Sequence, residues 1–260
     1  MWKTGLTSIS FRKLTPAAII ALAAESGLDG IEWGGDGHLL PGHPQEAAAI
    51  AAGTRAAGLE VLSIGSYWRA GNPDAGDGSV ELALCEAAGT SMLRVWAGSL
   101  GSLAAEGDAR QRTVEALQKL CGMAAAKGVT VAVEYHANTL TDNAPSALRL
   151  LHEVGCENFR TYWQPVVWDS ADMNASALAA VLPRTANIHV FAWTAPDGKT
   201  VLRHPLADAE GPWAQYIALL RDYDAAHPGF DRCFMLEFVR DDDPANCVTD
   251  AAVLNRWIRG

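Results

Sequence analysis

The chain has 260 residues, 49% of them apolar, and a formal charge of −10. That is enough apolar material for a sizeable core, while the acidic balance excludes a phosphate-backbone binder, which shows a basic footprint. No apolar run approaches the roughly 18 residues of a membrane span.

The elements alternate along the chain. Short apolar or β-branched runs predict strands at Leu6–Ser10, Gly30–Trp33, Glu60–Gly65, Met92–Trp96, Val129–Glu134, Arg160–Gln164, Asn187–Trp193 and Cys233–Phe238. Ala/Leu-rich stretches between them predict helices at Pro16–Ser26, Pro44–Ala57, Val80–Ala88, Asp108–Ala126, Ala144–Val154, Ser176–Leu182, Pro212–Ala225 and Pro244–Arg259. Proline in or near the first turn (Pro16, Pro44, Pro145, Pro212, Pro244) and glycine after the last (Gly27, Gly58, Gly89, Gly128, Gly155) match the asymmetry of helix ends. The repeated unit is about 30 residues, as a βα unit requires. Eight units predict an α/β fold of the (β/α)8 TIM-barrel type. An open doubly wound sheet is the alternative, but it carries a glycine-rich loop after its first strand. Here that loop reads Ser-Ile-Ser-Phe-Arg-Lys. Nothing in the composition divides residues 1–260, so one domain is expected. The longest connection, Thr194–Gly211, is read equally well as a lid or as a surface insertion.

The N-terminus, Met-Trp-Lys-Thr-Gly-Leu, lacks the charged start and apolar stretch of a secretory signal. The five cysteines form no C-x-x-C pair and fit reduced thiols. A cytoplasmic location is expected, with neither a membrane nor a nucleic acid as partner.

In such a barrel, active sites form at the C-terminal strand ends. Two strongly apolar strands end in carboxylates: Val-Thr-Val-Ala-Val-Glu134 and Cys-Phe-Met-Leu-Glu237. A carboxylate buried at a strand end costs free energy unless paired, protonated or bound to a cation. Glu134, Gln164, His189 and Glu237 come from four consecutive strands. Two carboxylates, an imidazole and an amide oxygen suit a divalent ion such as Mn²⁺, Mg²⁺, Co²⁺ or Zn²⁺. Glu134 and Glu237 flanking a hydroxyketone would also serve as base and acid. A lone strand-end glutamate is more often a rim salt bridge, and it is the pairing that favours function.

His136, two residues after Glu134, shares its side of the strand if the strand stays straight. Trp33, Trp68, Trp96, Trp163 and Trp193 all fall near the same rim, where flat rings can form the wall of a sugar site, although barrel rims also hold bulky plugs. Trp33, Trp68, Trp96 and Trp193, with His136, are the expected substrate contacts. Arg203 in the long loop is a candidate for an anionic substrate group. Arg94 is another if it faces inward, a parity that the sequence leaves open.

These pieces resemble the xylose isomerase-like TIM barrels, in particular the sugar phosphate isomerase/epimerase family. The matching segments are Asp29-Gly30-Ile31-Glu32, Val133-Glu134-Tyr135-His136, Trp163-Gln164-Pro165, Asn187-Ile188-His189-Val190 and Leu236-Glu237-Phe238, in order along nearly the whole chain. The resemblance implies a divalent metal held by Glu134, the strand-six position, His189 and Glu237. It also implies that the two glutamates carry protons in epimerisation or isomerisation of a small sugar or hydroxyketone, in a barrel that commonly pairs as a homo-oligomer. The strand-six position, normally Asp, is Gln164 here, which brings an oxygen without a charge; Asp169 is a possible substitute. A keto-sugar or keto-inositol dehydratase on the same scaffold, and a non-catalytic sugar-binding barrel, are the alternative expectations.

Overall fold

The computed structural model describes residues 2–105 and 107–260. Eight parallel strands close into a barrel in the order β1-β10-β7-β6-β5-β4-β3-β2. The strands are β1 (Lys3–Thr7), β2 (Gly30–Gly34), β3 (Glu60–Arg69), β4 (Met92–Trp96), β5 (Thr130–Val133), β6 (Phe159–Trp163), β7 (Thr185–Val190) and β10 (Cys233–Leu236). Helices α1 (Pro16–Glu25), α2 (Pro44–Ala56), α3 (Ser79–Ala88), α4 (Asp108–Ala125), α5 (Ala144–Val154), α6 (Ala171–Val181), α7 (Glu210–Ala226) and α8 (Pro244–Arg259) follow in the expected alternation. Among the described residues no helix is long and apolar enough to cross a membrane.

The helix starts are chemically determined. Thr15, Asn143, Ser170 and Asp243 each accept a backbone N–H of the first turn, beginning α1, α5, α6 and α8. The Ser170 cap starts α6 five residues before the expected Ser176. At the other end, Gly89 and Gly155 close α3 and α5 with φ of 61° and 66°, the left-handed region that glycine enters without a Cβ clash.

Three strand expectations shift by more than two residues, and β3 simply runs on to Arg69, four residues past the expected Gly65. The first strand lies at Lys3–Thr7, and Ser8–Phe11 is a 3-10 turn, where the Thr7 and Ser10 hydroxyls bond to each other at 2.9 Å and bend the chain. The seventh ends at Val190, and Trp193–Thr194 (β8) leaves the barrel to pair antiparallel with Leu202–Arg203 (β9). The long loop is therefore anchored by a small hairpin.

The apolar core falls in two parts. The larger lies between barrel and helices and includes Leu6, Ile31, Trp33, Val95, Val133, Trp163, Trp213 and Leu254. The smaller, Leu62, Ala132, Tyr162, Cys233 and Met235, fills the barrel interior. Strand alternation divides these layers: Val133 joins the outer core and Ala132 the inner one. Position 134 then faces inward again, above the inner layer.

Candidate active site

Glu134 and Glu237 stand one residue beyond β5 and β10, yet remain part of the barrel lattice. The Glu134 N–H donates to Val95 O at 3.1 Å, and the Glu237 N–H donates to Val190 O at 3.0 Å. Thr141 Oγ1 donates to the Glu134 carbonyl at 2.5 Å. Both carboxylates are thus set by rigid backbone, and each residue is only 4% exposed.

Between them sits His189, fully buried on β7. Its Nδ1 lies 3.1 Å from Gln164 Oε1, 3.5 Å from Glu237 Oε2 and 3.8 Å from Glu134 Oε1. The ligand-capable atoms of Glu134, His189 and Glu237 all lie within 4.8 Å of one another. Donors that share one ion at about 2.1 Å sit about 3.0 to 4.2 Å apart. Three carboxylate or amide oxygens facing one ring nitrogen make an acceptor-rich pocket that a cation reconciles, so the residues present fit a divalent ion. Asp169 is not in the cluster. It lies in the loop after β6, where its N–H donates to Val166 O.

Two further residues complete the cluster: Glu32, which was not among the expected site residues, and Arg94, which was expected only as an anion contact if it faced inward. Glu32, on β2, accepts from His189 Nε2 at 3.2 Å through Oε1, and its Oε2 accepts from Ser63 Oγ at 2.7 Å. Arg94, on β4, donates from Nη1 to Glu134 Oε2 at 2.5 Å and lies 3.4 Å from Glu32 Oε1 through Nε. Both are 1% exposed. Room for the guanidinium comes from Gly65. A Cβ there would meet Arg94 Nη2 at 2.6 Å and Glu32 Oε1 at 3.0 Å. The available signal was strand alternation. Ile31 and Trp33 are apolar neighbours on one side of β2, which puts Glu32 on the other.

The electrostatics are strongly coupled. Burial raises the Glu32 carboxyl, but the Arg94 cation and His189 outweigh it and hold it at about 2. Burial opposes the His189 charge, yet the Glu237 and Glu32 carboxylates lift the imidazole to about 9. Glu237 moves upward, through burial first and then repulsion from Glu134, with His189 and Arg94 opposing. Within the ion-free cluster, an imidazolium stands where the metal's charge would act.

The expected substrate contacts separate into groups. Trp33 is fully buried on the helix side, where its Nε1 donates to Thr54 Oγ1 at 3.2 Å. It plays no part in the mouth, which corrects the expectation. Trp163 is likewise buried among Trp213 and Tyr216. Both fail for one reason: at a strand end, alternate residues face opposite sides. Trp68 is buried in the outer core and lines a cleft with Arg69, Asp74 and Glu81 that contains none of the cluster residues. Trp96 does reach the mouth, 4.5 Å ring to ring from His136 and 6.0 Å from Tyr67, with Arg69 over its face at 4.0 Å. His136 turns out of the strand direction and donates from Nδ1 to Ala137 O at 2.8 Å. Trp193 stacks on Phe191 at 3.8 Å and lines a neighbouring cleft of about 360 Å³ with Pro165, His204 and Trp213. None of the clustered carboxylates lines that cleft. Arg203 is engaged by Asp242 at 2.5 Å and lies over Phe238, so its charge is compensated within the protein.

A family model described as the xylose isomerase-like TIM barrel matches residues 20–257. The chain is 28% identical over 199 residues to a 3-dehydroshikimate dehydratase from Bacillus anthracis, covering 72% of this chain and 70% of that protein. Among solved structures it resembles the probable 3-DHS dehydratase AsbF of Bacillus anthracis, with a TM-score of 0.79 and 22% identity over 98% of this chain and 99% of that one. It also resembles a D-allulose 3-epimerase from Methylomonas sp., with a TM-score of 0.70 and 18% identity over 98% and 97% of the two chains. At such identities the structural likeness speaks to the fold, while the family match spans nearly the whole barrel. The chain belongs to the xylose isomerase-like TIM barrel family.

Proposed function

We propose that the protein is a metal-dependent lyase that removes water from a small hydroxyketone, with a keto-acid such as 3-dehydroshikimate as the substrate class. The single observation that carries this reading is the inequality of the two strand-end glutamates. One oxygen of Glu134 is engaged by Arg94 at 2.5 Å, whereas among the described residues Glu237 has no arginine at such a distance, only His189 Nδ1 at 3.5 Å, and burial, with Glu134, moves its carboxyl upward against His189 and Arg94.

Epimerisation needs two carriers that exchange roles across the substrate, one taking the proton and the other returning it. Elimination can run on one carrier, which takes the proton next to the carbonyl and passes it to the departing hydroxyl, so that water leaves. A single carrier beside an arginine-restrained carboxylate fits the second scheme better. The dehydratase named above, 28% identical over most of the chain, supports the same choice.

Glu134, Gln164, His189 and Glu237 would hold the ion. Bound there, it supplies Lewis-acid stabilisation of the developing enolate oxygen. Glu237 is the proton carrier. His136 and Trp96, ring to ring at 4.5 Å, position the substrate at the mouth. The buried walls exclude water from the reacting carbon. Glu134 turns Oε1 toward His189 and would offer it to the ion, while Arg94 occupies Oε2.

Epimerisation or isomerisation, the first expectation from sequence, becomes the second reading, supported by the paired glutamates and the structural likeness to the allulose epimerase. A purely sugar-binding barrel is disfavoured, because the ligand set is assembled and buried. The test is incubation of the Mn²⁺-supplemented protein with 3-dehydroshikimate and, separately, with D-allulose in D₂O. Loss of one water from the keto-acid is the expected result. Deuterium uptake by the sugar without mass loss as water would favour the epimerase instead.

A further inference from the structure

Glu32 lies outside the proposed ligand set, yet it touches both His189 and Arg94. It stands on β2, across the barrel from β7. Its Oε1 faces His189 Nε2 at 3.2 Å and Arg94 Nε at 3.4 Å, and its Oε2 accepts from Ser63 Oγ at 2.7 Å. The carboxylate is 1% exposed, and so is the guanidinium beside it. Arg94 in turn donates to Glu134 Oε2, which turns Oε1 toward His189 and Glu237. One side chain therefore bears on two of the four proposed ligands, on His189 directly and on Glu134 through Arg94.

The geometry points to Glu32 as the positioning residue of this site, the group that aims His189 Nδ1 at the oxygens of Gln164, Glu134 and Glu237 and holds Glu134 for one-oxygen ligation. An imidazole that accepts a cation on one nitrogen is oriented by the bond its other nitrogen donates, commonly to a carboxylate. Glu32 supplies that acceptor. Ser63 fixes the carboxylate plane, and the bare backbone of Gly65 leaves the gap through which Arg94 reaches both carboxylates. The inference rests on the metal reading above only for its consequence in affinity; the orientation of His189 is testable without any ion.

The experiment uses the full chain with ¹⁵N-labelled histidine, its His189 signals assigned by their loss in His189→Asn. In the ion-free wild type, Glu32 should hold the Nε2–H as a slowly exchanging downfield proton coupled to the ring nitrogen. Glu32→Ala should lose that proton. Glu32→Gln, which keeps an acceptor oxygen, should restore it. An unchanged signal in Glu32→Ala overturns the proposal. So does its loss in both variants, which would report disturbed packing rather than positioning. Mn²⁺ titration is the second readout, with affinity in Glu32→Ala expected to fall about 10- to 100-fold. A wild type that takes up no Mn²⁺ would defeat the metal reading, while the imidazole signals would still decide the role of Glu32.

Discussion

Two arginines are almost fully buried, Arg94 at the mouth of the barrel and Arg232 near its floor, and their surroundings differ instructively. Arg232, 0% exposed, pairs with Asp224 at 2.7 Å, donates to the Thr185 and Leu182 carbonyls, and lies over the Phe230 ring at 4.2 Å. Trp2 Nε1 adds a bond to the same aspartate at 2.8 Å. One cation there meets one carboxylate and a set of neutral acceptors. At the mouth, Arg94 lies with three buried carboxylates, Glu32, Glu134 and Glu237. The floor pair is a closed structural staple. The mouth holds more negative charge than its arginine can offset, an arrangement tolerable where a further cation binds.

The sharpest test of that contrast is chemical. Glu237→Gln should lower kcat about a thousandfold, within the range for loss of a general acid or base, with an unaltered far-UV spectrum. A variant that keeps half its turnover would remove Glu237 from the reaction. The floor should behave oppositely. Arg232→Met leaves the half-buried Asp224 with only its Trp2 bond and the Thr185 and Leu182 carbonyls without their donor, and should cost about 1–3 kcal/mol in urea unfolding. Its Mn²⁺ affinity, measured by titration calorimetry, should stay that of the wild type.

Arg94→Met probes the middle of the contrast. It should lower the unfolding midpoint of the ion-free protein, because Glu32 and Glu134 lose their shared counter-charge. Saturating Mn²⁺ should restore much of that loss, since an ion bound only to the folded state stabilises it. Mn²⁺ should restore nothing to Arg232→Met. Equal behaviour of the two variants in scanning calorimetry would erase the distinction.

A smaller effect follows from pH. The folded His189 imidazole is held at about 9, above its ordinary 6.5. Its charge therefore stabilises the ion-free fold fully below pH 6.5, and that contribution is lost as pH rises through 9. Glu32, held at about 2 against an ordinary 4.5, contributes above 4.5 and loses its contribution as pH falls toward 2. Urea unfolding of the chelated protein at pH 6 and pH 9 should show the His189 loss. Mn²⁺ affinity should move the other way, because binding displaces the Nδ1 proton.

The smallest expected difference separates two tryptophans. Trp33→Phe should cost about 1–2 kcal/mol by leaving a gap in the outer core, with KM unchanged. Trp96→Phe should raise KM with little change in stability, because its ring lies against His136 at the mouth.

The architecture was legible because it repeats. Glycine-closed helices running straight into β-branched strands recur through the chain, and the apolar runs that end in Glu134 and Glu237 mark their strands as buried. His189 and Gln164 followed from their places at successive strand ends. Glu32 and Arg94 were visible as strand-end residues, but their roles depend on partners 62 and 40 positions away. No local pattern encodes those distances. Trp33 misled because proximity to the rim says nothing about which side of the strand a ring takes.

The sequence by itself determined the βα alternation, the barrel and the two carboxylates, since turn chemistry and strand periodicity are local and act along the chain. Only the tertiary structure decided that Arg94 turns inward over Gly65, that Glu32 backs His189, and that the glutamates differ in freedom. Those outcomes depend on strand register and barrel closure, which bring together side chains from β2, β4, β5, β7 and β10 at distances of 2.5 to 3.8 Å, where charge interactions set the chemistry.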